Sequence, residues 1–185
     1  MNIPNFLSLL RVILVPVFVI FVIQKEYDKA MITFTVAGLT DALDGTLARV
    51  LKCQTKLGAY LDPIADKLLL VTSFVCLAYF GLIPGWLAVI VISRDFIILL
   101  GIAILTILSI PYEIKPAIVG KVTTALQVAT IFLALLYHSF THDFSYLWIV
   151  GLCWTTALFT IISGLTYIIR GISIVNKSSP KDIKK

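Results

Sequence analysis

The chain has 185 residues, of which 59% are hydrophobic and 14% charged, and its formal net charge is +5 at pH 7. In a soluble domain roughly a quarter of the residues are charged, so this composition excludes an ordinary water-soluble fold and predicts an integral membrane protein. The basic charge comes without a zinc signature or an aromatic-plus-basic motif, which argues against nucleic-acid binding. The chain has three cysteines, Cys53, Cys76 and Cys153. They are widely spaced and odd in number, which fits neither a disulfide framework nor a metal cluster, so we interpret them as ordinary apolar side chains.

Apolar runs of about 20 residues, the length of a membrane-crossing helix, recur along the chain. Lipid offers the backbone no hydrogen-bonding partner, so we expect an all-α membrane protein with six transmembrane helices. The predicted spans are 5–23, 29–51, 57–80, 86–108, 116–137 and 146–169. We expect one membrane domain, 1–175, and a basic cytoplasmic tail, 176–185. No small-residue cleavage site follows the first span, which argues against a cleavable signal peptide.

The basic residues predict the orientation. They concentrate in the link between spans two and three, in the link between spans four and five, and in the tail, which share one side of the membrane if there are six spans. The positive-inside rule then places both termini and these links in the cytoplasm. Four aromatic residues fall at the predicted outer ends, as interfacial aromatics should: Trp86, Tyr137, Tyr146 and Trp148.

Four acidic residues, Asp41, Asp44, Asp62 and Asp66, lie in or between apolar stretches of spans two and three. A carboxylate inside a membrane span is costly and indicates a functional site with a partner. Asp41 and Asp44 share one helix face at i,i+3, and Asp62 and Asp66 share one at i,i+4. At 1.5 Å per residue, Asp41 and Asp66 lie about 16 and 21 Å from the outer ends of their helices. We therefore expect the two pairs to meet in the cytoplasmic half of the bilayer.

Such carboxylates would repel one another strongly without cations between them. All-oxygen ligands indicate a hard cation such as Mg²⁺, Mn²⁺ or Ca²⁺, and four carboxylates could hold two ions about 4 Å apart for displacement at phosphorus. Gly45 follows a candidate ligand and would let a nucleotide approach the backbone. Ala48 has a small side chain that leaves room on the same helix face. Arg49 supplies a planar, charged group whose N–H groups donate hydrogen bonds to phosphate. Gly58 opens the third span four residues before Asp62.

The order D-x2-D-G-x2-A-R-x8-G-x3-D-x3-D, from Asp41 to Asp66, resembles at every position the motif of the CDP-alcohol phosphatidyltransferase family. The resemblance implies a two-metal site, Mg²⁺ or Mn²⁺, held by the four aspartates, with Asp66 also the general base. It implies that CDP-diacylglycerol binds at residues from two parts of the chain: Gly45, Ala48, Arg49, Gly58, Asn5 and Ser8. It further implies a homodimer of six-helix chains, multi-pass in a bacterial inner membrane, with the active site facing the cytoplasm.

The acceptor predicted first is glycerol-3-phosphate, giving phosphatidylglycerophosphate and CMP. The alternative acceptor is phosphatidylglycerol, as in cardiolipin synthases of the family. Arg94, Lys121 and Lys67 are candidate ligands for the acceptor phosphate, although Arg94 could instead form an internal ion pair and Lys121 could be ordinary positive-inside charge.

Phosphatidylglycerophosphate synthases usually carry a further arginine about seven residues after a Ser-Arg-acid block, where this chain has Gly101 and neutral neighbours, and a lysine in place of Thr123. The Ser93-Arg94-Asp95 form, Thr123 and the Ala37-Gly38-Leu39-Thr40-Asp41 lead-in resemble the cardiolipin branch more closely.

Two other classes stay open. Intramembrane prenyltransferases also surround Mg²⁺ and a pyrophosphate with Asp-rich helices, but they would carry a more symmetric pair of motifs on distant helices. The non-enzyme alternative is a cation transporter with buried carboxylates. Helices broken near the acids would favour a transporter, and we expect no such break in spans two and three.

Overall fold

The computed structural model describes the backbone of residues 3–51, 56–107, 118–139 and 146–178, and the side chains of residues 9–40, 67–107, 118–139 and 147–174. Every regular element in the described backbone is an α-helix, so the all-α prediction is confirmed. The described helices are α1 (Ile3–Ile23), α2 (Tyr27–Leu51), α3 (Lys56–Tyr79), α4 (Gly85–Ile107), α5 (Ile118–Ser139) and α6 (Tyr146–Ser178).

Within the part of the chain that the structure describes, three helical segments are long and apolar enough to cross a membrane: Gly85–Ile107, Ile118–Ser139 and Leu147–Ile174. Two shorter apolar segments, Leu9–Ile23 and Lys67–Tyr79, belong to α1 and α3. The number of six membrane crossings and the cytoplasmic position of the termini stay predictions.

Helix α6 is longer than predicted. We expected it to end near Ile169, but it continues to Ser178, because a helix need not stop where its apolar run gives way to polar residues such as Asn176 and Lys177. The predicted boundary between the membrane domain and the tail, at 175/176, therefore falls within this helix. The other predicted helix ends lie within two residues of the observed ones.

The turn after α3 is built by a glycine. Gly81 has φ +73°, the left-handed conformation that glycine adopts at no steric cost. The Leu82 amide donates to the Leu77 carbonyl at 2.8 Å and the Gly81 amide donates to the Ala78 carbonyl at 3.2 Å, the paired hydrogen bonds of a Schellman motif. The chain therefore reverses tightly, and Leu82 and Ile83 are buried beside it.

The apolar core runs between the helices. Phe18 of α1 meets Phe34 of α2 with ring centroids 6.1 Å apart, and α1 also packs against α3. Helix α6 packs against α4 and α5, while α5 also contacts α2 and α3. Phe74 of α3 and Leu135 of α5 are fully buried where these groups of helices join.

The backbone places the acidic motif on two continuous helices. Asp41 and Asp44 lie on α2, and Asp62 and Asp66 lie on α3, which continues without a break through Pro63. The backbone at these positions is helical, as the spacing argument requires, and the directions of the four side chains stay predictions. The continuity of both helices also removes the feature that would have favoured a transporter.

Candidate functional site

Most predicted site residues have side chains outside the described part of the structure. This applies to the four aspartates and to the whole predicted CDP site: Asp41, Asp44, Asp62, Asp66, Asn5, Ser8, Gly45, Ala48, Arg49 and Gly58. Their roles stay predictions, as does the meeting of the two carboxylate pairs. Among the residues whose side chains are described, no group of three or more His, Cys, Asp or Glu residues could hold a metal ion.

The structure does bring together two of the three predicted acceptor-phosphate ligands, around an acid. The Nζ atom of Lys67, on α3, lies 2.5 Å from Oδ2 of Asp95 on α4. The other carboxylate oxygen, Oδ1, accepts a hydrogen bond of 2.6 Å from Nη1 of Arg94. Arg94 and Asp95 are buried, at 8% and 5% exposure, whereas the Lys67 side chain is 36% exposed. We call these three residues the Asp95 cluster.

Arg94 is held in place from α5 and α6 as well. Its Nη2 donates to Ser163 Oγ at 2.9 Å, and its guanidinium carbon lies 5.8 Å from the centre of the Tyr167 ring. At Gly120 a Cβ atom would lie 3.2 Å from the Tyr167 hydroxyl oxygen and 3.6 Å from Arg94 Nη2. A side chain at Gly120 would therefore press on the Tyr167 hydroxyl, whereas its contact with the guanidinium would be an ordinary one.

One donor of Arg94 remains unused within the described structure. Its Nε is buried and has no hydrogen-bond partner. A buried N–H without an acceptor costs about 1–3 kcal/mol, and an arginine that keeps a free donor beside other cationic groups is suited to phosphate oxygens. The internal ion pair that we considered for Arg94 is thus present, and it leaves the buried Nε–H without an acceptor among the described residues.

The third candidate, Lys121, stands apart from the ion pairs. It follows Gly120 on α5, and its side chain is exposed. It lies at the end of an open groove along one face of α5, lined by Lys121, Thr124, Ala125, Val128, Ala129 and Phe132. The structure therefore favours neither of the two interpretations of Lys121, as an ordinary positive-inside charge or as a phosphate ligand.

Sequence reasoning missed the partners of Arg94. Asp95 was not among the predicted site residues, although an acid inside an apolar helix is itself an indication of a site. Ser163 and Tyr167 lie on α6, 69 residues and more from Arg94 in the chain, and no spacing rule connects them to it. Ser163 and Tyr167 reach the Arg94 guanidinium because α4 and α6 pack together.

Fold and site together define an all-helical protein whose described part contains apolar helices of membrane-spanning length and a largely buried cluster of two cations and one acid. Comparison with known proteins identifies the family within this class of protein. The CDP-alcohol phosphatidyltransferase family model matches residues 1–167, so the chain belongs to this family, as its acidic motif had indicated.

Relatives with two different activities match to a similar degree. Human cardiolipin synthase (CMP-forming) is 35% identical over 183 residues, which cover 90% of this chain and 60% of the human protein. A probable cardiolipin synthase of Drosophila melanogaster is 32% identical over 187 residues, covering 91% and 57%. The CDP-diacylglycerol--glycerol-3-phosphate 3-phosphatidyltransferase of Bacillus subtilis (strain 168) is 32% identical over 183 residues, covering 90% and 93%. The chain therefore spans about three fifths of those two cardiolipin synthases but nearly all of the Bacillus protein.

Proposed function

We propose that this protein transfers the phosphatidyl group of CDP-diacylglycerol to a hydroxyl of an acceptor that carries both a glycerol group and a phosphate. The acceptor oxygen bonds to the phosphorus that bears diacylglycerol, the bond from that phosphorus to CMP breaks, and CMP leaves. Asp66 takes the proton of the acceptor hydroxyl. Asp41, Asp44, Asp62 and Asp66 would hold Mg²⁺ or Mn²⁺, which supplies charge neutralisation at the phosphates.

The observation that supports a phosphate-bearing acceptor is the Asp95 cluster. Lys67 directly follows Asp66 on α3, and its Nζ lies 2.5 Å from the carboxylate that also binds Arg94. Two cations are thus held at the same place, next in sequence to the proposed base. We propose that the acceptor phosphate binds these cations while its hydroxyl is held for the base, since such positioning accounts for a large part of catalysis in phosphoryl transfer.

Two acceptors fit this chemistry. Glycerol-3-phosphate is supported by the Bacillus subtilis relative, whose printed name specifies that acceptor and nearly all of whose length is matched. Phosphatidylglycerol is supported by the relatives named cardiolipin synthase (CMP-forming), which match this chain to a similar degree. The neutral residues at Gly101 and Thr123 agree with this second acceptor.

The test is an acceptor panel with the purified full-length protein, labelled CDP-diacylglycerol, and Mg²⁺ or Mn²⁺. Glycerol-3-phosphate, phosphatidylglycerol, inositol phosphate and serine are added separately, and labelled lipid products and CMP are measured. We expect product and CMP in equal amounts with one of the first two acceptors. Product formed only with serine or inositol phosphate, or none with any acceptor, would refute the proposal.

The proposal also includes a homodimer. It places the protein in a bacterial inner membrane, with the active site facing the cytoplasm. Light scattering of the protein in detergent tests the dimer. Labelling of single cysteines introduced in the tail tests the cytoplasmic side.

A further inference from the structure

The largest fully buried side chain in the described part of the protein is a charged one. Arg11 lies on α1 and is 0% exposed. An arginine keeps its positive charge in proteins, and a buried charge is stable only when an opposite charge and hydrogen-bond acceptors lie beside it. Helix α1 packs against α2 and α3, which carry the acidic motif. The position of Arg11 along α1 therefore determines which part of those helices it meets.

A contact between α1 and α2 gives the register of this antiparallel pair. The rings of Phe18 and Phe34 lie with their centroids 6.1 Å apart. Arg11 precedes Phe18 by seven residues, and Asp41 follows Phe34 by seven residues. Seven residues make about two helical turns, so each charged residue lies on nearly the same helix face as its phenylalanine and about 10 Å along the axis from it. Because the two helices run in opposite directions, both steps lead the same way, and Arg11 lies level with Asp41.

Burial along both helices agrees with this register. Val22 on α1 and Ala30 on α2, nearer the link between the helices, are both fully buried. On α2 the buried stripe continues through Phe34 to Ala37, at spacings of four and three residues. Asp41 stands four residues after Ala37, at the next position of this stripe. Sequence and backbone thus place an acid where the buried guanidinium of α1 needs an opposite charge.

We propose that Arg11 forms an interhelical ion pair with Asp41 and is thereby a positioning residue of the metal site. This inference rests on the proposed function, in which Asp41 is a metal ligand. The four candidate ligands are all carboxylates on two unbroken helices, a donor set that suits Mg²⁺ or Mn²⁺. Arg11 compensates one charge of this set when no metal is bound, and it repels a cation that binds there.

The ion pair is tested by a double-mutant cycle in the full-length protein, with the midpoint of thermal unfolding measured in detergent and EDTA. Arg11→Met keeps much of the side-chain length, removes the charge and leaves Asp41 without its cation. It is expected to lower the midpoint by about 10 °C. In the Asp41→Asn background the same change is expected to lower the midpoint by less than half as much. Equal losses in the two backgrounds would overturn the ion pair.

Two further variants keep the cycle decisive. Arg11→Lys retains the charge and is expected to be more stable than Arg11→Met, whereas equal stability would show that only side-chain volume matters and would overturn the proposal. If Arg11→Met does not fold, the double variant with Asp41→Asn is expected to fold. Failure of the double variant where Asp41→Asn alone folds would count against the pair. Lys29→Met removes an exposed cation of α2 and is the control, with little expected change in the midpoint.

A Mn²⁺ titration of the same proteins tests the role at the metal site. Because the guanidinium repels a cation beside Asp41, Arg11→Met is expected to bind Mn²⁺ about tenfold more tightly, so that saturating Mn²⁺ restores part of the lost stability. A loss of midpoint that is the same in Mn²⁺ as in EDTA would overturn this role. If neither Mn²⁺ nor Mg²⁺ stabilises the wild type, the metal site of the proposed function fails together with the positioning role, whereas the cycle in EDTA still decides the ion pair.

Discussion

Arg94 shows how a buried charge can be tolerated in an apolar helix. The guanidinium has an ion pair with its chain neighbour Asp95, a hydrogen bond to Ser163 and the face of the Tyr167 ring. A buried ion pair is stable only when further hydrogen bonds satisfy the remaining donors. Ser163 supplies one of these bonds from another helix, so this hydroxyl links the position of α6 to the orientation of the guanidinium.

Replacement of Ser163 by alanine tests that link. Ser163→Ala leaves Arg94 Nη2 without its acceptor, and a lost hydrogen bond to a charged group costs about 1.5–3 kcal/mol. We expect a lower midpoint of thermal unfolding in detergent and a higher KM for the acceptor. Ser173→Ala, also on α6 but exposed, is the matched control and should change neither. Equal behaviour of the two variants would show that the Ser163 hydrogen bond has no role.

The sequence predicted part of this arrangement. A lone arginine in span four indicated either an ion pair or a phosphate ligand, and the ion pair is present. The identity of the acid could not be derived from helix geometry, because i,i+1 neighbours on a helix do not normally face each other. Arg94 nonetheless reaches Asp95, since its long side chain turns back toward the carboxylate that also binds Lys67.

At the scale of elements, α5 and α6 are joined by buried polar side chains. The hydroxyls of Thr130 and Thr156 lie 2.8 Å apart, and Thr123 Oγ1 donates to the carbonyls of Val119 at 2.8 Å and Phe159 at 3.1 Å. In lipid there is no hydrophobic driving force between apolar helices, so close packing and such interhelical hydrogen bonds hold them together. These bonds fix the register of α6 and with it the height of Ser163 beside Arg94.

A double-mutant cycle measures the contact between the two threonines. Thr130→Val and Thr156→Val are each expected to destabilise the protein, and the coupling between them should be about 0.6 kcal/mol, the average for such bonds in membrane helices. Thr155→Val is the control, because the Thr155 hydroxyl is exposed and binds only the Leu152 carbonyl of its own helix. Additive effects of the first two changes would contradict an interhelical bond.

Helix existence followed from apolar length, but helix packing did not. The runs predicted all six described helices, with ends close to the observed ones except in α6, where polar residues continue the helix. The sequence could not predict that α4 and α6 pack together, or that α5 contacts α2. In a chain this apolar, almost every helix face looks alike, so periodicity does not show which face meets which neighbour.

At the scale of the whole molecule, the family motif, on α2 and α3, and the Asp95 cluster, on α3 and α4, share helix α3. The motif ends at Asp66 on α3, and the cluster begins with Lys67. Helix α1 packs against both helices that carry the motif. Helix α3 is therefore the element that connects the proposed base with the cationic cluster.

The motif residues made the family evident from the sequence, and the family match confirms it. The acceptor did not follow from the same residues, because relatives named for two different acceptors match the chain to a similar degree. The contacts of Lys67 and Arg94 with Asp95 depend on the packing of α3 against α4, which the sequence does not show.

The most direct test of this account is the turnover of Asp66→Asn beside the wild type, with labelled CDP-diacylglycerol, a divalent metal and the acceptor that the panel identifies. We expect the variant to bind CDP-diacylglycerol but to release almost no CMP, because an amide cannot take the acceptor proton. Asp28→Asn, an exposed acid at the start of α2, is the control and should keep full turnover. Substantial CMP release by Asp66→Asn would contradict the assignment of the base.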